Sequence, residues 1–151
     1  MVWFNKVSSD ISNVPDAVKF FTKELADAKF EVKLKGSIEK ASAALPGNVE
    51  FRFNQLQEIE AILEYLNIAL RKERSRTIRN FMEHYNREIS VREAEKWIDG
   101  EDNIVVLSEL VNEMAFIRNQ YLGIMKALEV QGFQINNLVK LRTAGLEDYS
   151  V

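Results

Sequence analysis

The stretch between Gly47 and Gly100 contains neither glycine nor proline. Those two residues are the strongest local breaks in regular structure, so a chain lacking them there is steered toward long helices. Within the stretch, Leu56, Ile59, Leu63, Leu66 and Leu70 recur at steps of three and four, the apolar stripe of an amphipathic helix. Asn54 and Gln57 resemble a capping box and mark the expected start. The helix is expected to continue through a basic segment into Ile78, Phe81, Met82 and Tyr85, a span of roughly 45 Å at about 1.5 Å per residue. That exceeds what a compact domain of 151 residues needs, so part of it is expected to project or to pack on another subunit.

The N-terminal third reads as more mixed. Ser12-Asn13-Val14-Pro15-Asp16 has the polar cap, early proline and acidic first turn of a helix entrance. Val18, Phe21, Leu25 and Ala28 follow on one face. Phe30, Val32 and Leu34 alternate with Glu31, Lys33 and Lys35, and Val49, Phe51 and Phe53 alternate with Glu50 and Arg52. Both are strand patterns, and a short helix from Ile38 to Leu45 separates them, stopping at Pro46-Gly47. Two short strands do not make an independent sheet, so they are expected to pair with each other, with a neighbouring subunit, or against helices. Downstream, Ser90-Val91-Arg92-Glu93 is a capping box opening a short helix that carries Trp97. After the turn Asp99–Asn103, a helix from about Val105 to Gln131 points Leu107, Leu110, Val111, Met114, Ile117, Tyr121, Ile124 and Leu128 inward. Gly132 reads as a left-handed stop, and Phe133, Ile135, Leu138 and Leu141 begin a last helix.

The expected fold is therefore mainly α: long helices with a small two-stranded β element near the N-terminus, forming an oligomer. Residues 1–53 make an N-terminal helix and two strands, 54–145 a helical core, and 146–151 a flexible tail.

Charge is sharply segregated. Arg71, Lys72, Arg74, Arg76 and Arg79 stand against one anion, Glu73, while the whole chain carries −3, which leaves −7 elsewhere. A chain so divided can hold a polyanion at one place and repel it at others. The bland reading is the solvated face of a helix, partly neutralised by Glu73, Glu64 or Glu83. However, the arginines are spread around the helix and cannot all serve intrahelical pairs. Phe81, His84 and Tyr85 lie close by and could stack unpaired bases, although Phe81 and Tyr85 share a face with Ile78 and Met82 and read first as core or interface.

No chemistry-bearing constellation is visible. There are no cysteines and a single histidine, His84. Glu109 with Glu113 and Glu60 with Glu64 share helix faces without a further ligand, and Asp99-Gly-Glu-Asp-Asn103 has its glycine misplaced for a calcium loop. Phosphate-loop and nucleophile-elbow patterns are absent. A non-enzymatic protein without metal or cofactor is expected. No apolar run approaches the roughly 18 residues of a membrane span and no secretory leader is visible, so the expected location is the cytoplasm.

The C-terminal part carries a pattern: Val91-Arg-Glu, an acidic turn, a long helix with Tyr121, then Phe133-Gln-Ile-x-Asn137 and Arg142-Thr-Ala-Gly145. With the basic helix from Leu70 to Arg87 upstream, it resembles the phage recombination mediators of the UvsY type, over about residues 55–145. The resemblance implies a protein that binds single-stranded DNA, contacts the phage recombinase and its single-strand-binding protein, and forms a ring-like homo-oligomer in the host cytoplasm. Carried over by position, the DNA contacts are Arg71, Lys72, Arg74, Arg76, Arg79, Tyr85 and Arg87. The implied assembly element is the terminal helix with Phe133, Ile135, Leu138 and Leu141. The first 50 residues do not match that family's pattern. A different reading is a phage structural or scaffold protein that oligomerises without binding DNA. A third, a DNA mimic acting through its acidic surface, would need carboxylates on one face, and here they are scattered.

Overall fold

A computed structural model describes residues 1–85 and 87–145. The chain order is α1 (Val2–Ser9), a single 3-10 turn (Ile11–Asn13), α2 (Val14–Glu31), α3 (Ile38–His84), α4 (Val91–Ile98) and α5 (Asp102–Thr143). With 47 and 42 residues, α3 and α5 are each about 60–70 Å long. They run antiparallel as one hairpin: Ile38 meets Ile135 and Leu138 at one end, Gln55 meets Tyr121 midway, and Asn103 meets Glu73 near the turn. α2 lies along the hairpin, parallel to α5, with Phe21 edge-on to Tyr121 at 6.1 Å and the Glu31 carbonyl accepting from Gln131 at 2.9 Å. α1 packs on α3, where Glu58 Oε1 accepts from the Trp3 and Phe4 amides at 2.7 and 3.0 Å. That carboxylate satisfies two of the four amides a helix start leaves without partners.

The main core joins Val7, Val14, Phe21 and Leu25 to Ile59, Ile62, Leu66, Met114, Ile117, Tyr121 and Leu128. The helical stripes of α2, α3 and α5 that the spacing predicts enter it, except Leu70 and Leu107, which lie outside it and are half-buried. The capping box of α4 is formed as expected: the Ser90 hydroxyl accepts from the Glu93 amide, and the Glu93 carboxylate accepts from the Ser90 amide at 3.0 Å.

Four expectations fail. Asn54 and Gln57 do not open the long helix, which starts at Ile38 with Ser37 as its cap. Among the described residues there is no strand. Phe30 and Glu31 finish α2, and residues 49–53 lie inside α3, so the break expected at residue 53 falls in mid-helix. Pro46-Gly47 does not end a helix either, because Pro46 sits within α3. Proline there removes one backbone bond, but Leu45 and Val49 on either side pack against the core, and tertiary contact outweighs the local break. Gly132 is likewise interior to α5, and the only positive-φ glycines are Gly36 and Gly145 among the described residues.

The second supposed strand misled because its pattern is inverted. Phe51 and Phe53 are about half exposed, whereas Arg52 is only 2% exposed. A guanidinium enters the interior only with partners, and Arg52 has four donor contacts. Its Nε and Nη2 donate to both oxygens of Glu31 at 2.8 and 2.5 Å. Nη1 donates to Glu24 at 3.0 Å and to Gln55 Oε1 at 2.9 Å. Gln55 in turn donates to Glu24 at 2.7 Å and accepts from the Tyr121 hydroxyl at 3.0 Å. The Glu31 hydrogen bonds hold the Arg52 pKa above its ordinary value, and burial pushes the Tyr121 phenol well above its own.

Two measurements check this fold. Gly132 has helical φ, and an added Cβ meets Leu45 Cδ2 at an ordinary 3.5 Å, so Gly132→Ala is expected to stabilise the protein by about 0.5–1 kcal/mol in urea unfolding. A destabilised variant would restore the helix stop. Glu31→Ala removes the bidentate partner of a buried cation and is expected to cost about 3 kcal/mol. Arg52→Met is expected to cost less, since Glu24 and Glu31 are 21% and 27% exposed and can rehydrate.

Candidate nucleic-acid interface

The basic segment lies on the C-terminal third of α3, beyond α1 and α2, where only α4 and the start of α5 flank it. Helical phase divides its cations. Lys72, Arg76 and Arg79, spaced i, i+4 and i+7, form a row on one exposed face. Arg71 and Arg74 fall on the opposite side with Ile78, Phe81 and Tyr85, within roughly a quarter-turn at 3.6 residues per turn. Between the two, Glu73 and Thr77 face α5 and accept from the Asn103 amide at 2.5 and 2.9 Å.

Three of the five cations meet carboxylates of the same chain. Arg71 pairs with Glu64 at 3.1 Å, Arg76 with Glu73 at 2.6 Å, and Arg74 with Asp99 just past α4. Lys72 and Arg79 have no carboxylate within 4 Å among the described residues, and Arg79 Nε donates to the Ser75 carbonyl at 3.4 Å. The side chains of Arg71 and Arg76 are 69% and 67% exposed. Exposed pairs of this kind contribute about 0–1 kcal/mol and are screened by salt, so a phosphate can compete with either carboxylate. Arg74, 35% exposed, ties α3 to the turn after α4 and acts as a brace.

Tyr85 closes α3 in extended conformation, 43% exposed. Arg87 is exposed between α3 and α4 and lines an open hollow of about 570 Å³ with Met82, Tyr85, Glu88 and Ile89. His84 Nδ1 lies 2.8 Å from the Asn80 carbonyl of its own helix. Trp97 was not singled out by sequence as a site residue, yet it is 63% exposed and stacks on Phe81 at 6.5 Å with planes 21° apart. Its signal lay in the capping box, which fixes α4 in phase and leaves Ala94 and Ile98 inward and Trp97 outward.

The terminal residues named for assembly separate in the same way. Ile135 and Leu138 are buried against Ile38 within the chain and Leu141 packs beside them, whereas Phe133 is 61% exposed. Residues 146–151, expected to form a flexible tail, and Asn86 lie outside the described residues. Among the described residues no group of three or more His, Asp or Glu side chains could hold a metal, and no helix is long and apolar enough to cross a membrane. No known protein family, curated protein or solved structure matches the chain.

Glu73 offers a pH test. Hydrogen bonds from Asn103 and then Arg76 hold its pKa below the ordinary glutamate value of 4.5. A depressed folded pKa contributes stability above the unfolded value that is lost as pH falls through the folded one. Unfolding free energy is therefore expected to fall below about pH 4.5, and Glu73→Gln is expected to flatten part of that slope in urea titrations.

Proposed function

We propose that the chain binds single-stranded DNA through α3 and serves as a recombination mediator, helping a recombinase replace single-strand-binding protein. The observation that carries DNA binding is the exposed row Lys72, Arg76 and Arg79 on a chain whose remaining surface is acidic. Only Arg76 of the three has a carboxylate partner among the described residues. Such a row positions a phosphodiester backbone without reading bases, as a protein acting on any sequence requires. One protomer offers few contacts, and a homo-oligomer would multiply them by avidity. The recombinase-loading role is supported by the UvsY-type resemblance alone.

A second reading, an assembly scaffold, is favoured by the apolar side chains left on the outer face of α5. Phe116, Val130 and Phe133 are each more than half exposed. In it, α5 packs between copies and the arginines only close ion pairs.

Light scattering with and without a single-stranded oligonucleotide, at two salt concentrations, separates the two. Anisotropy across salt then tests the row. Each phosphate contact adds about −0.7 to the slope of log affinity against log salt on single strands. The Lys72→Ala/Arg79→Ala double variant is therefore expected to make the slope shallower by about 1.4. Oligomers with no affinity for the oligonucleotide at low salt would leave the scaffold.

A further inference from the structure

At the end of the hairpin three aromatic rings lie nearly parallel. Phe81 is the shared ring: its centroid is 5.0 Å from Tyr85 with planes 25° apart, and 6.5 Å from Trp97 with planes 21° apart. A side-chain cluster built only to pack helices buries its rings, as Phe21 and Tyr121 do here, edge to face and fully enclosed. This one instead leaves Tyr85 and Trp97 43% and 63% exposed. Nearly parallel, solvent-exposed rings match a flat partner, and every nucleobase has a flat face.

The approach to the rings carries two arginines, each paired with one carboxylate. Arg71 and Arg74 precede Phe81 and Tyr85 on the same face of α3 and line an open hollow of about 320 Å³ with Glu64, Asn67 and Leu70. Each arginine spends one N–H on its carboxylate out of the five a guanidinium carries, so donors remain for a phosphate. The two faces of α3 then divide the work. The row of Lys72, Arg76 and Arg79 meets backbone alone, and the other face offers both cations and rings.

We infer that Trp97, with Phe81 and Tyr85, is a stacking platform for unpaired bases of a single-stranded nucleic acid whose phosphates are met by Arg71 and Arg74. This rests on the proposed DNA binding and adds the part of the ligand that is recognised. It separates single strands from duplex, whose bases are already stacked on each other and turned away.

The test uses two oligonucleotides of equal length, one of deoxythymidine and one abasic, which share phosphates and differ only in bases. Trp3→Phe leaves Trp97 as the sole tryptophan reporter. The deoxythymidine strand is expected to quench Trp97 fluorescence and to bind roughly tenfold more tightly than the abasic strand. In the otherwise native chain, Trp97→Ala is expected to erase that preference and Trp97→Phe to retain most of it, with circular dichroism reporting an intact fold. Equal binding of both strands with unchanged Trp97 emission would overturn the platform and leave the phosphate row standing. No binding of either strand at low salt would overturn both.

Discussion

The buried guanidinium of Arg52 sets the arrangement of the N-terminal helices. Taking an arginine out of water is tolerable only where carboxylates and amide oxygens replace its hydration. Those replacements come from the C-terminal half of α2, through Glu24 and Glu31, and from Gln55 one turn further along α3. Through the Tyr121 hydroxyl the same network reaches α5. Apolar packing tolerates some sliding, whereas a bidentate pair with two further hydrogen bonds has one good geometry. The network thus specifies how α2, α3 and α5 are aligned along their length, more than it adds to net stability.

The same residue explains which parts of the fold were legible. Stripes such as Leu56, Ile59, Leu63 and Leu66, or Met114, Ile117, Tyr121 and Leu128, repeat over several turns, and each turn reinforces the helical period. Ser90 and Glu93 were legible because a capping box needs only four residues of one chain. Residues 49–53 were not. A five-residue window with three apolar side chains at alternate positions fits a strand and one and a half helical turns equally well. What decides between them is Glu24 and Glu31, far away in sequence, which draw Arg52 inward and turn Phe51 and Phe53 out. Pro46 and Gly132 were misread for a related reason: each marks a local weakness, and the facing helix covers both.

The basic segment shows a similar split between composition and geometry. Counting residues gives five cations against one anion, but Glu64 lies before that window and Asp99 after it, and both pair with its arginines. The row Lys72, Arg76 and Arg79 was implicit in the spacing. The stack on Trp97 was not, because α4 is placed by a turn and a tertiary contact that helical phase in α3 says nothing about.

Where α1 and α2 end has a consequence for how the molecule breathes. The core that their buried side chains share extends along α3 to Leu66 and along α5 to Leu110. Past that point the hairpin is held by α4, a brace and a shorter set of buried side chains, Ala94, Ile98 and Ile104. Segments with few enclosed apolar neighbours open at a fraction of the global free energy. Backbone amides from about Arg71 to Asn80 should then exchange with solvent deuterium well ahead of those around Ile59, making the cationic end a separately loosening unit on a rigid stem.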